Sequence, residues 1–436
     1  MPAEYDVIVV GAGIIGVASA YHLQINNPNK RVLVVDMHEA PGQGNTGRSN
    51  ATLRNVFSSY DNQVLSNSSI DFYTRIQDEF KVDIGLQMIG CLWLMGEQQL
   101  STSKPFLKRV ERNAIEVVHR GRDELKRLLP AMVAEFEAGG DASNMELPSI
   151  GGGVFGSKCG WLDPDKLVRF YASEFVRAGG TFAFNSKATA LVVGPSKRLG
   201  IDGEPLAWQD FDVEGVSMGG ADKTLTADTV VVACGAWENE LLEPIGIDGH
   251  VKAKKRQLFS VWAKGEKLQA LLHTKGFNTL GLAPMVVLPK AGVHFKPVSE
   301  EDVFWVACED DVRPLIDLPE HDLEAYKAER DFYGKSVYPV LSSYFPDFRD
   351  AEVGAMWAGL YAYNTLDNLP FVFRKRNLIV VGGDSGSGIM KGDSLGRIVD
   401  SVYREEEEAL LYGDVGYRGS KLSFEKRDVE REEWVL

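Results

Sequence analysis

Gly11, Gly13 and Gly16, set directly behind the apolar run Tyr5–Val10, constrain this chain more than any other feature. A short β-branched run of that kind reads as a buried parallel strand, and Val17 to Gln24 beyond it has helical character. In a strand–turn–helix unit the first glycine permits a tight turn and the second lets backbone approach a pyrophosphate. The third lets the helix pack on the strand. The helix N-terminus then offers unpaired N–H groups to phosphate. A second apolar run, 31–35, ends on Asp36, about 20 residues beyond Gly16. A carboxylate there accepts hydrogen bonds from ribose hydroxyls and repels a 2′-phosphate. Strand, glycines, helix, strand and acid in register predict a dinucleotide-binding fold. The pattern serves NAD and FAD alike, so the choice falls to later segments.

With 436 residues the chain exceeds one compact core, and two packed domains are expected. Its formal charge of −15 opposes nucleic acid or an anionic membrane surface as main partner. Lys252, Lys254, Lys255 and Arg256 form a local basic stretch, read as the rim of a strand. Cys91, Cys159, Cys234 and Cys308 stand far apart, which suggests neither a disulfide framework nor a zinc site, and no metal is expected. No run of about 18 apolar residues occurs, and no secretory signal precedes the first strand. A cytoplasmic place is expected, with peripheral attachment at the inner face of a membrane left open.

After Asp36, "MHEAPGQGNTGRSNATLR" reads as a loop leading into a helix near Asn50. Residues 63–80 read as helix, 89–96 as strand, and 105–140 carries helical charge patterning. A helix from about Pro164 to Ala178 follows, and "LTADTVVVACGAW" is a buried strand ending in a glycine turn. Across 251–310 the residues alternate as strands, "VHFKP" and "VFWVAC" forming hairpin-like partners, before a helix around 319–343. Leu378 to Val381 then runs into Gly382, Gly383, Gly386 and Gly388 with a helix near Ile389, a second helix N-terminus for a negative group.

Taken together, "DVIVVGAGIIG", "VLVVD", "GQGNTGRSNATLR", "GWLDPDKLVRFYASEFVRAGG", "ADTVVVACGAWENELLEPIGI", "NTLDNLPFV" and "VVGGDSGSGIMKGDSLGRIV" resemble the FAD-dependent D-amino acid oxidase and sarcosine oxidase superfamily along nearly the whole chain. "GIDGEPLAWQ", "GSGIMKGDSLGRIV" and the tail ending "VL" are most similar to the archaeal dye-linked L-proline dehydrogenases. The resemblance implies an α/β fold. A Rossmann-type FAD-binding domain (1–86, 156–236 and 353–412) would interleave with an α+β substrate domain built on an antiparallel sheet (87–155 and 237–352), leaving 413–436 as a tail.

It also implies FAD, with Gly11, Gly13, Ile14, Ile15 and Gly16 at the pyrophosphate and Asp36 and Met37 at the ribose. Gly47, Arg48, Ser49 and Ala51 fall on the loop under pyrophosphate and flavin. Ala188 gives backbone to the adenine, and Gly235 and Ala236 lie near the ADP moiety. Gly386, Gly388, Ile389, Met390 and Lys391 lie against the flavin pyrimidine. Monomeric sarcosine oxidases bond flavin to a cysteine just before a "TPD"-like stretch. Here "AGLYAYNTLD" has no cysteine, so noncovalent FAD is expected, and Leu366 inside "TLD" departs from the family turn.

In such enzymes hydride leaves the α-carbon of an amino acid for flavin N5, while backbone N–H groups such as those of Gly388 to Met390 face developing negative charge. Arg54 aligns with the arginine that takes the substrate carboxylate, a task that suits a planar guanidinium. The partner lysine falls on Met390 in a gapless reading, and Lys391 one place on would be turned by about 100°. Tyr361 and Tyr363 fall where strand residues pass over the flavin, Arg256 and Lys296 are weaker candidates, and His294 reads as a sheet residue rather than a base. The expected partners are therefore a small carboxylated substrate, L-proline foremost, and an electron acceptor such as a dye, a quinone or a carrier protein. A 2-hydroxy acid, glycerol 3-phosphate, sarcosine or D-amino acid enzyme fits the same fold, as does a non-catalytic flavoprotein subunit. The tail beyond Gly413 could pack on a neighbouring subunit of a homo-oligomer through Trp434 to Leu436.

Overall fold

In the strand Tyr5–Val10 the last four residues are buried, and the strand runs parallel between Val32–Val35 and Lys223–Val232. The computed structural model describes residues 3–219, 223–310, 313–315 and 326–434. Val7, Val9, Val32, Val34 and Val231 enter one core with the helices Ile14–Asn26, Pro164–Arg177 and Gly392–Tyr403. Ile8, Val10, Leu33, Val35, Val230 and Val232 enter a second core on the opposite face. Burial on both faces is why these strands are continuously apolar rather than alternating.

The sheet runs in the order Phe371–Lys375, Leu378–Gly382, Lys223–Val232, Tyr5–Val10, Val32–Val35, Thr181–Ala183, with Ala188–Pro195 and Phe211–Met218 attached as antiparallel strands. Gly11 takes φ of 103°, and a Cβ there would lie 2.5 Å from the Ala233 carbonyl oxygen. At Gly16 a Cβ would lie 1.9 Å from the Gly11 oxygen, so the helix could not approach its strand with any other residue.

A second eight-stranded sheet runs Val353–Asn364, Val251–Trp262, Val303–Ala307, His294–Val298, Met285–Val287, Cys91–Gly96, Ile150–Gly156, Val117–Gly121. It is antiparallel except where Met285–Val287 meets Cys91–Gly96. One face carries Leu92, Val286, Phe295, Phe304, Val306 and Phe259, packed on Tyr344, Phe345 and Phe348. Register places Trp93, Val287, His294, Ala307 and Leu258 side by side on the other face, with Arg256 opposite Gly359 and Lys254 opposite Tyr361. That face meets the first unit, where Trp357 Nε1 donates to the Arg48 carbonyl at 3.0 Å.

Several local expectations change. No helix forms near Asn50; Ala51 takes φ of 51°, and Thr52–Leu53 pairs with Gly160–Trp161. Within 105–140 the helical pattern divides into Glu97–Arg112, the strand Val117–Gly121 and Arg122–Leu128. The strand Val353–Asn364, expected with the dinucleotide unit, hydrogen-bonds in the second sheet instead. The basic stretch is no rim: alternation turns Lys254 and Arg256 inward, both 6% exposed, while Lys255 pairs with Glu329. Of the helix expected around 319–343, residues 319–325 lie outside the described residues, and helix is present from Arg330. Among the described residues no helix is long and apolar enough to cross a membrane.

Candidate active site

A cavity of about 350 Å³ runs along the C-terminal ends of the parallel strands and under the second sheet. Gly11, Gly13, Ile14 and Ile15 line it at the phosphate loop, Asp36, Met37 and Ala188 at one end, and Gly235 and Ala236 beside them. The Asp36 carboxylate is aimed by backbone: Ala12 N donates to Oδ2 at 2.6 Å and His38 N to Oδ1 at 2.8 Å. The helix Ile14–Asn26 begins at the cavity wall, where Ile14 N donates to Thr46 Oγ1 at 3.1 Å. A side-chain-free loop, a helix N-terminus and an oriented carboxylate in one elongated cavity fit the ADP half of a dinucleotide.

Arg48 and Ser49 line the same cavity. The Arg48 guanidinium turns to backbone, donating to the Gln43 and Gly44 carbonyls, and stacks on Tyr326. Gly16 and Gly47 are not on the cavity wall; each is a close-packing point, a Cβ on Gly47 falling 2.8 Å from the Gly42 oxygen.

At the far end Ser49, Asn50, His294, Tyr361 and Gly386 line both this cavity and a second one of about 50 Å³. Gly386, at φ of 82°, leaves room for the Tyr361 ring, which would stand 2.1 Å from a Cβ. Gly388 and Ile389 belong to the large cavity, Ala51 and Met390 to the small one. The Gly388 N–H is already used, donating to Asp384 Oδ2 at 2.7 Å. Asp384 itself lines the cavity, and burial raises its carboxyl above the usual range. Buried Glu238 has neither carboxylate oxygen hydrogen-bonded among the described residues, and burial and nearby Asp384 raise it strongly. Burial disfavours the charged form of both acids.

Arg54 lines the small cavity, 4% exposed, and both of its terminal nitrogens already donate to backbone. Nη1 donates to the Val56 carbonyl at 3.0 Å, Nη2 donates to the Trp434 carbonyl, and the guanidinium lies over the Phe57 ring. Lys391 lines neither cavity. The turn it makes relative to Met390 buries it completely, with Nζ donating to Ser387 Oγ at 2.5 Å. Burial lowers its pKa to about 7, with Glu432 and Asp384 opposing the shift and Arg54 adding to it. Tyr363 lies off the cavity wall, and its hydroxyl accepts from Arg256 Nη2 at 3.3 Å.

Through Trp434 the tail docks on its own chain. Trp434 packs against Phe106 and Trp93, while Val435 and Leu436 lie outside the described residues. The Glu432 carboxylate accepts from Ser58 N, Ser58 Oγ, Ser59 N and Asn62 Nδ2 at 2.8–3.1 Å, and Glu432 and Trp434 line the small cavity.

His294 and Arg256 carry more of the site than sequence reasoning gave them. Nδ1 of His294 lies 2.8 Å from the Gly292 carbonyl and so carries the proton, leaving Nε2 as an acceptor. Burial, with nearby Arg256, Lys296 and Arg54, lowers its pKa to about 4 despite the Gly292 contact, so the ring is neutral. Lys296 is enclosed between the Trp161 and Trp305 rings, donates to the Asn50 carbonyl at 2.6 Å, and is pushed well down by burial. The period-two alternation of the strands held this information, but which face mattered depended on the other sheet. Among the described residues no group of three or more His, Cys, Asp or Glu is placed to hold a metal.

A glycine-lined dinucleotide cavity roofed by a mixed, mainly antiparallel sheet defines an oxidoreductase of two interleaved units. The chain belongs to the FAD dependent oxidoreductase family, whose model matches residues 6–401. It is 24% identical over 448 residues to FAD-dependent oxidoreductase domain-containing protein 1 of Xenopus laevis, covering 97% of this chain and 82% of that one. L-proline dehydrogenase from P. horikoshii superposes with a TM-score of 0.72 at 17% identity, over 93% of this chain and 94% of that one. Glycine oxidase from Geobacillus kaustophilus superposes with a TM-score of 0.67 at 19% identity, over 92% and 95%. The cofactor is FAD.

Proposed function

We propose that this flavoenzyme oxidises a small amino or imino acid, L-proline being the first candidate, and passes the electrons to a quinone or a carrier protein. FAD supplies the two-electron acceptor when bound. The carrying observation is the seam where the two cavities meet, bordered by Tyr361 and neutral His294 and flanked by buried Arg54 and Arg256. A mostly polar seam with an aromatic wall and a buried guanidinium suits a small carboxylated molecule. His294 Nε2, with Asn50 Nδ2 at 3.4 Å, is an acceptor that a neutral amine N–H can share, while the guanidinium groups of Arg54 and Arg256 disfavour an ammonium.

The structural likeness to proteins named for proline and glycine oxidation agrees with that chemistry. Four cysteines, none disulfide-bonded, agree with a reducing, cytoplasmic compartment. The test is the visible spectrum of the purified holoprotein without oxygen, with L-proline, glycine, sarcosine, D-amino acids, 2-hydroxy acids and glycerol 3-phosphate added in turn. Bleaching near 450 nm by L-proline is the expected result. Bleaching only by a hydroxy acid or glycerol 3-phosphate overturns the amine reading. No bleaching by any of them favours a non-catalytic subunit, a reading that draws on the tail residues Glu432 and Trp434 lining the small cavity.

A further inference from the structure

The two arginines at the seam differ in what they already hold. Arg54 gives one N–H from each terminal nitrogen to a backbone carbonyl, at close range, and its face to a phenyl ring. Arg256 is as deeply buried, at 6% exposure, and lines the large cavity beside Leu258, His294, Ala307 and Tyr361. Its contacts are long and neutral: Nη1 to the Asp310 carbonyl at 3.4 Å and Nη2 to the Tyr363 hydroxyl at 3.3 Å. Its Nε has no hydrogen-bond partner among the described residues, and it forms no ion pair there. The nearby Asp310 carboxylate is committed to Arg313, at 3.1 Å. The Tyr361 and Tyr363 rings, 5.2 and 5.9 Å from the guanidinium carbon, hold the fork in place.

A buried guanidinium without a counterion is costly, and the cost falls when an anion arrives with the ligand. FAD phosphates belong to the glycine loop, which is not among the residues that line both cavities. We propose that Arg256, rather than Arg54, anchors the carboxylate of the substrate, and that Arg54 is a positioning residue that clamps the tail. This rests on the carboxylated-substrate reading above. Two features of the fold support it: the strand Val251–Trp262 points Arg256 at the seam by alternation, and the Tyr361 and Tyr363 rings restrict its rotation.

The test titrates redox-inert pairs into the FAD-loaded protein and follows the perturbation of the flavin spectrum. The pairs are pyrrole-2-carboxylate with pyrrole-2-carboxamide, benzoate with benzamide, and acetate with acetamide. In the wild type at least one carboxylate binds more tightly than its amide. In R256M that preference falls by about tenfold or more, and R256K, which keeps the charge but loses the fork, loses part of it. R54K keeps the wild-type ratio. Flavin content and melting temperature show that each variant is folded, and R256K serves where R256M loses flavin. A merely structural Arg256 would weaken acid and amide together. Equal loss of both, or an unchanged ratio in R256K and R256M with R54K losing it, overturns the assignment while leaving the carboxylated-substrate reading intact. A wild type that prefers no carboxylate overturns that reading, and the assignment falls with it.

Discussion

At Gly11 the backbone conformation and the space around it agree, since φ is 103° and a Cβ would meet the Ala233 oxygen at 2.5 Å. Gly11→Ala should therefore cost about 1–3 kcal/mol and abolish tight FAD binding, read by urea unfolding and by loss of flavin absorbance on gel filtration. Lys391 makes a separate prediction. Its folded pKa is about 7 against 10.5 for the free side chain, so the unfolded chain binds the extra proton between those values. Stability then rises with pH across that window, and below about 7 both states are charged and the full penalty of burial remains. Lys391→Met should flatten that rise, seen as a smaller gain in melting temperature from pH 7 to 10 than the wild type shows. An unchanged slope would mean that some other group titrates there.

Among the elements, the tail is held by one side chain more than by length. Glu432 is 1% exposed, and besides its four contacts with 58–62 its carboxylate accepts the Trp434 N–H at 2.9 Å. The Glu432 N–H donates to the Asp367 carbonyl at 2.9 Å, and Arg427 holds the Asp367 carboxylate through Nε and Nη2 at 2.5 and 2.7 Å. Glu432→Ala leaves several buried donors without a partner, each worth about 1–3 kcal/mol when orphaned. A loss of about 2 kcal/mol or more is expected in chemical denaturation. Early cleavage of the tail by a carboxypeptidase should accompany it. Retention of wild-type stability would show that the apolar contacts of Trp434 hold the tail alone.

Across the whole molecule the FAD cavity has walls from both sheets: the glycine loop from the parallel one, Arg256, Leu258, His294 and Tyr361 from the other. A ligand bound only by the assembled form stabilises it by mass action, about 2.7 kcal/mol at a hundredfold excess over Kd. The holoprotein should melt as one transition, above the apoprotein, with the gap growing as free FAD is raised. Two transitions, one insensitive to FAD, would show that the sheets unfold independently.

The glycine loop, Asp36 and the buried parallel strands were legible in the sequence because each signal is local. A turn, a helix start and an apolar run are written within a few residues, and resemblance extended them to most of the cavity wall. Tertiary structure alone decided what each basic side chain does. Arg54 and Trp434 are 380 positions apart, so no window of sequence shows that the tail takes a donor of that arginine. Lys391 sits one place past the aligned position, and a helical turn sends it into the core. Lys254 and Arg256 share a strand face whose meaning depends on a second sheet packed against it. Alternation is a property of the strand. Which side meets the cofactor is set by pairings between segments distant in sequence, and those exist only once the chain has folded.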